Sequence, residues 1–286
     1  MKKKLILIFS LLFMTFALVG CDLKFYNPFE QSFSPTTTTQ VRVNGTISFS
    51  DDDYANFPIY ESASYDLETD EYNDILFATK DKIKRSNIQV NTSIYVKPTP
   101  WSTPVKTLIA SGSGVIILED DLNYYAITNY HVLETDDSEP IFEIKTNSDS
   151  DFSEVTLVAF DSSLDLALLQ FEKADRTDIF IIDYQKRVGY KFNPGEFVLA
   201  VGNPGSLINN VTFGEFKSME TLKDVAFLTI YHDAFISNGS SGGALVDVDG
   251  NLLGINTWGI EDSEDYSFAI PNYIVYMFLI NSGILD

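Results

Sequence analysis

The chain has 286 residues, 45% of them hydrophobic and 14% aromatic, enough apolar material for a large packed core, which excludes global disorder. Forty-one Asp and Glu against 19 Lys and Arg give a net charge of −22, a field that repels phosphate backbones and argues against a nucleic-acid binder. One Cys forbids an intramolecular disulfide, and with only two His neither an all-histidine catalytic zinc site nor a Cys-rich structural one can be assembled, so no metal is expected.

Residues 1–21 begin Met-Lys-Lys-Lys, continue as an uncharged run from Leu5 to Val19 and end in Gly20-Cys21. A basic start, a largely apolar run of 15 residues and a small-residue end describe a secretory signal peptide, and the run is short of the roughly 18–20 residues that span a bilayer comfortably. Leu18-Val19-Gly20-Cys21 resembles the lipobox of bacterial lipoproteins, which implies a diacylglycerol on the Cys21 thiol and cleavage just before it. Two acyl chains anchor stably where one binds marginally. The competing reading is an uncleaved membrane helix with an incidental Cys; both put the rest of the chain outside the cytoplasm. Asp22 bears on retention at the inner membrane only in a cell with two membranes.

Residues 22–70 read as an acidic, Thr-rich tether: Pro28, Pro35 and Thr36–Thr39 favour extension, and Val41–Ile47 alternates like a short strand. Asp51 to Asp74 holds nine acidic residues and no Lys or Arg, which favours solvation, although Tyr54, Phe57, Tyr60 and Tyr65 offer a means of docking. A folded domain is expected over 71–286. The spacing of Ile75, Leu76, Ala78, Thr79 and Ile83 among lysines predicts one short helix. Then come short β-rich runs: Ile88–Val96, Gly114–Leu118, Tyr124–Asn129, Ile141–Lys145, Val155–Phe160, Leu166–Phe171, Phe197–Val201, Ala226–Tyr231, Ala244–Val248 and Leu252–Asn256. Turn residues separate them, and Asp249-Gly250 is a hairpin signal, so an antiparallel sandwich or barrel is expected rather than βαβ units. Tyr273–Leu279, after Pro271, reads as a C-terminal helix.

Four segments carry chemistry: Ser111–Ile117 with Tyr125–Val132, Asp161–Leu169, Ala200–Gly205, and Gly239–Leu245 continuing to Leu253–Thr257. They supply a base, an orienting carboxylate and a nucleophile in the chain order His, Asp, Ser, which is the order of the chymotrypsin double barrel. A serine hydroxyl needs an adjacent imidazole to take its proton, and the imidazole needs a carboxylate to fix its tautomer. Glycines around Ser241 permit a tight turn in which the N–H groups of Gly239 and Ser241 form an oxyanion hole, typically worth about 3–4 kcal/mol per donor. The second histidine, His232, reads as structural.

From about Ser111 to Pro271 these segments resemble the trypsin-like protease domain of the HtrA/Deg family, in a lipoprotein form. Thr128-Asn129-Tyr130-His131-Val132 is similar to the family's segment around the base, Leu164-Asp165-Leu166-Ala167-Leu168 to that around the carboxylate, and Gly239–Leu245 with Asp249–Thr257 to the nucleophile region; Phe268-Ala269-Ile270-Pro271 resembles its closing motif. The resemblance implies an all-β, chymotrypsin-like fold of two six-stranded antiparallel β-barrels with short flanking helices. It makes His131 the general base, Asp165 its orienter and Ser241 the nucleophile. Ile255-Asn256-Thr257 would pair with substrate backbone as an added strand, and apolar Phe235 and Ile236 would line the primary specificity pocket, favouring cleavage after aliphatic residues. Ser240 departs from the family's usual Asn. The 15 residues after Pro271 are too few for the PDZ domain common in the family.

The expected function is that of a serine endopeptidase without cofactor, acting on unfolded or exposed polypeptide segments at the outer face of a bacterial membrane; oligomeric state is left open. The alternatives are a catalytically latent protease fold serving as a binding or adhesion module, and an esterase using the same triad.

Overall fold

The computed structural model describes residues 49–61, 68–174, 176–205, 207–259 and 266–285. The leader, Cys21, the Thr36–Thr39 run, the expected strand Val41–Ile47 and Tyr65 lie outside the described residues.

Two β units share one core. The first is a seven-stranded antiparallel sheet in the order β5-β4-β1-β2-β3-β7-β6, built from β1 (Asn87–Val96), β2 (Val105–Glu119), β3 (Asn123–Thr128), β4 (Ile141–Lys145), β5 (Ser153–Glu154), β6 (Thr156–Asp161) and β7 (Leu166–Glu172). The second is a closed six-stranded barrel, β10-β13-β12-β11-β8-β9, from β8 (Phe197–Gly202), β9 (Asn210–Thr221), β10 (Leu228–His232), β11 (Ala244–Asp247), β12 (Leu252–Gly259) and β13 (Ser267–Pro271). The expected pair of β-barrel-like units is present. The first differs from the expected six-stranded barrel: two-residue β5 extends it beyond β4, giving seven strands in an open order.

The β7 run shows why these segments are strands. Leu166 and Leu168 point into the core shared by the two units, whereas Ala167, Leu169 and Phe171 fill the interior of the first sheet. In β8, Leu199 and Val201 face the shared core, and Val198 and Ala200 face the inside of the barrel. Successive side chains alternate faces, so a strand buried on both sides is apolar throughout. The helix α3 (Asn272–Asn281) caps this shared core with Tyr273, Ile274, Val275, Phe278 and Leu279. Helix α2 (Thr69–Ser86) is longer than the sequence suggests: Asp70 and Glu71 in its first turn and Lys84 and Arg85 in its last complement the helix dipole, and Ile83 is its buried anchor.

Part of the expected tether is fixed to the barrel. Asp51–Asn56 forms a short helix, α1, whose three leading aspartates sit at the positive N-terminal end; Ser50 and Asp53 close a capping box there. The Tyr54 ring packs on Phe57, Phe192 and Tyr273, and its hydroxyl accepts the Phe192 N–H at 3.1 Å. Lys191 N–H donates to Pro58 O at 2.8 Å, and the Tyr60 ring lies 4.1 Å from the Arg187 guanidinium carbon. A solvated spacer is therefore not the state of residues 49–61, because four aromatic rings outweigh the pull of the aspartates toward water.

Candidate active site

His131 sits in a single 3-10 turn, Tyr130–Val132, directly after β3, and Asp165 in the turn from β6 to β7. Both therefore come from the first unit. Asp165 adopts a left-handed backbone, φ 52°, a conformation that Asp tolerates better than most residues. Its carbonyl is held by the Tyr130 N–H at 3.2 Å and the Asn129 Nδ2 at 3.0 Å, tying the two turns together. Its buried carboxylate then reaches His131 twice: Oδ1 accepts the backbone N–H at 2.9 Å, and Oδ2 lies 2.8 Å from Nδ1. Oδ2 also accepts the Thr257 hydroxyl at 2.9 Å.

Ser241 and Thr257 come from the second unit, Ser241 between β10 and β11 and Thr257 on β12. The Ser241 hydroxyl donates to the Thr257 carbonyl at 3.2 Å, long for an O–H donor and so easily given up. Asp165, which holds His131, and Ser241 are thus joined across the two units by Thr257, through its hydroxyl and its carbonyl respectively.

The loop before Ser241 is held by its carbonyls. Asn238 O accepts the Gly205 N–H at 3.1 Å, and Ser240 O accepts the Gly243 N–H at 3.0 Å. In a trans peptide the N–H points away from its carbonyl, so the Gly239 and Ser241 N–H groups turn away from those partners. Between them, Gly239 O accepts the Ser113 hydroxyl at 2.7 Å, and Ser241 O accepts the Ser113 N–H at 2.8 Å. Gly239 has φ 100°, and a Cβ there would stand 2.5 Å from Asn203 O; one on Gly242, φ 86°, would stand 2.1 Å from Ser113 O. Only glycine fits either place. Ser240 keeps the turn in place of the usual Asn: its hydroxyl oxygen accepts the Ser237 N–H at 3.3 Å.

The sequence reading missed the part played by Ser113 and the Asn203–Gly205 segment. Ser113 Oγ accepts the Asn203 N–H at 2.8 Å while donating to Gly239, so a first-unit strand and the β8 end together brace the nucleophile loop. Both lie in segments the motifs had picked out. Neither carries a titratable group, which is why their function was not legible.

The expected substrate strand is displaced. Ile255 is paired on both sides, with Ala244 and Ile270, and Asn256 exchanges two backbone hydrogen bonds with Gly242 and Gly243 at 2.8 Å each. Their backbones are occupied. Thr257, Trp258 and Gly259 run on past β11, and among the described residues Trp258 and Gly259 are paired with β13 alone, so the edge open to an added strand begins at Thr257. Phe235 and Ile236 separate: Phe235 is 42% exposed, whereas Ile236, at 9%, packs into the barrel core with Val198, Phe216 and Leu245. Ile236 still reaches the rim, since a Cβ on Gly259 would lie 3.7 Å from its Cγ1. Among the described residues no cluster of three or more His, Cys, Asp or Glu could hold a metal.

His232, at the end of β10, is fully buried beside the Asn256 carboxamide and the Ala234 backbone; burial pushes its pKa down to about 3, against the opposing charge of Asp233. The folded chain therefore keeps it neutral where the unfolded chain, near pH 6.5, takes up a proton. Stability from this site is fully present above that pH and drains away as pH falls toward 3. The variant His232→Gln is expected to lose about 2 kcal/mol less than the wild type between pH 6 and pH 4, read from urea unfolding at the two pH values. Equal losses would show that water reaches the imidazole.

Two β-barrel-like units, one carrying a carboxylate-held imidazole and the other a serine linked to the same carboxylate through Thr257, define a chymotrypsin-type peptidase fold. The chain belongs to the trypsin-like peptidase domain family, which it matches over residues 112–255, half of its length. It is 32% identical over 182 residues to the serine protease HTRA1 of Xenopus tropicalis, covering 60% of this chain and 36% of that protein, and 35% identical over 176 residues to the serine protease HTR4 of Rattus norvegicus, covering 59% and 33%. The chain spans about a third of the length of these relatives. Among solved structures, that of the serine endoprotease from Yersinia pestis is similar with a TM-score of 0.55 and 28% identity, over 72% of this chain and 66% of that one. The resemblance to HtrA-like proteases read from the motifs is borne out.

Proposed function

We propose that the protein is a serine endopeptidase working by acyl-enzyme chemistry, with His131 as general base, Asp165 orienting it and Ser241 as nucleophile. The observation that carries this is the pair of hydrogen bonds that Asp165 accepts from the backbone and ring of His131, continued through Thr257 to Ser241. Asp165 fixes the tautomer that leaves Nε2 to accept the serine proton, and stabilises the imidazolium once it forms. The Ser241 alkoxide attacks the scissile carbonyl, and the negative charge on its oxygen is received by the N–H groups of Gly239 and Ser241, held in place before substrate arrives. The imidazolium then protonates the leaving amine, and water repeats the sequence on the acyl-enzyme. Substrate is read mainly by backbone pairing along Thr257–Gly259, which suits unfolded or exposed polypeptide.

The same proposal places the enzyme outside the cytoplasm, held by a lipid on Cys21; this rests on the leader and lipobox alone. Among the described residues no helix is long and apolar enough to cross a membrane.

The test is labelling of membrane preparations with a fluorophosphonate. Wild type is expected to be labelled, and Ser241→Ala and His131→Ala not. Intact mass should show a chain cut before Cys21 and carrying diacylglycerol. A folded wild type that takes no label would overturn the enzymatic reading in favour of a protease fold used for binding.

A further inference from the structure

The β1–β2 hairpin outgrows its sheet. β4 pairs with β1 only over Gln89–Ser93, and β3 joins β2 only from Val115. Beyond Ser93 and Leu108 the two strands continue as a ribbon, paired among the described residues only to each other, Ile94 with Thr107 through Val96 with Val105, and close through Lys97–Pro104. Three residue pairs carry this arm roughly 10 Å past the sheet, before the turn. A two-stranded ribbon with nothing packed on it is marginal in water.

Its side chains concentrate exposed apolar surface. Trp101, in the turn, is 94% exposed, and Tyr95, Val96, Val105, Leu108 and Ile109 are all exposed too. Residues opposite each other share a face, so Tyr95 and Leu108 lie on one side of the ribbon and Val96 and Val105 on the other. Apolar groups on both faces and at the tip suit a surrounding apolar medium better than a single flat partner. Soluble proteins rarely leave such a patch open without a use for it.

Charge identifies the medium. There is no acidic residue between Asp81 and Glu119, in a chain with 41 of them and a net charge of −22. Lys97 flanks the tip, and Lys106, nearer the base, is paired with Glu143 of β4. The chain's net charge opposes approach to an anionic lipid surface, and the arm itself adds no acidic residue to that repulsion. A second copy would bring a second −22 up to the first. Trp and Tyr with an adjacent Lys are the residues that settle at the boundary between headgroups and acyl chains.

We infer that the Ser93–Leu108 arm is a lipid-surface contact, inserting Trp101 and its neighbours into the interfacial zone of a bilayer. A depth of about 5–10 Å is within its reach. The arm would then orient the two β units on the membrane, a role separate from holding the chain there. The inference stands on exposure and composition and does not depend on the peptidase reading.

The full chain, bound to vesicles of phosphatidylcholine and phosphatidylglycerol with brominated acyl chains, provides the test through its two tryptophans. Wild-type emission is expected to shift to the blue on binding and to be quenched by bromine. Trp101→Phe, which removes no buried contact, should lose both effects and leave the signal of Trp258. Val105→Asp with Leu108→Asp, keeping Trp101, should lose the quenching too. Equal quenching in wild type and Trp101→Phe would overturn the inference. So would a blue shift that grows with protein concentration without lipid and is untouched by bromine, since that marks a second copy on the arm.

Discussion

Asparagine in place of Asp165 is expected to cut peptide turnover about 10⁴-fold while the fold and KM change little. The two side chains have the same shape, and Asn accepts the left-handed backbone at this position, φ 52°, as readily as Asp. The carboxylate now receives three donors on two oxygens: the His131 N–H, the His131 ring at Nδ1 and the Thr257 hydroxyl. A carboxamide offers one oxygen and an NH₂. If the NH₂ replaces Oδ2, it faces the imidazole and forces Nδ1 to accept. The proton then resides on Nε2, and the ring can no longer take one from Ser241. If it replaces Oδ1 instead, it meets the His131 backbone N–H head-on, leaving a buried donor against a donor. In both cases the negative charge that stabilises the imidazolium is gone, and with the side chain 1% exposed, water does not replace it. Steady-state kcat on an unfolded protein substrate, with the fluorophosphonate labelling rate beside it, provides the measurement. A loss of less than tenfold would mean that Asp165 does not orient the base.

How much of this was legible in the sequence depended on which physical signal each part leaves. The strands feeding the shared core were plain because both their faces are buried: Leu166–Leu169 and Phe197–Val201 are unbroken apolar runs. Strand β9 was not, since among Asn210–Thr221 only Phe216 is buried and no apolar face repeats. The outer half of β2 was missed for the opposite reason, its apolar residues being exposed and interrupted by Thr and Lys. At the site, His131, Asp165 and Ser241 stood out because the proposed chemistry needs those residue types, and the chymotrypsin-like fold carries them in that order. Ser113 and Gly205 act through one hydroxyl and two backbone N–H groups, which many sequences can supply, and only the closed loop reveals what they hold. Ile255 and Asn256 were expected to bind substrate because the motif runs through them; the register shows their hydrogen bonds already spent within the barrel.

Replacing Arg187 by Met should destabilise the folded chain by about 3–5 kcal/mol. The guanidinium is fully buried between two carboxylates: Nη1 and Nη2 donate to Glu196 at 2.6 and 3.1 Å, and Nη1 also donates to Asp247 at 2.7 Å. Burial alone would lower its pKa, yet the hydrogen bonds and charges of Glu196 and Asp247 more than offset this, so its pKa is raised and it stays ionised. Burial drives the Asp247 carboxyl the other way, upward, against the pull of Arg187 and Asn251. Met fills much of the volume but leaves both acids facing each other without a cation. Removing Arg187 takes away one of the influences that lower the Asp247 pKa, which then rises further. A carboxyl whose folded pKa stands above its unfolded value favours the fold at low pH and loses that advantage as pH rises through it. The deficit of Arg187→Met should therefore be smaller at pH 5 than at pH 8, the reverse of ordinary acid unfolding. The same arginine lies under the Tyr60 ring, so its loss should also release residues 58–61 from Lys191 and Asn193, visible as faster backbone hydrogen exchange at Lys191, whose N–H now bonds Pro58. A pH-independent deficit below 1 kcal/mol, with that N–H still protected, would mean that the cluster is hydrated and that the N-terminal segment is held by its aromatic rings alone.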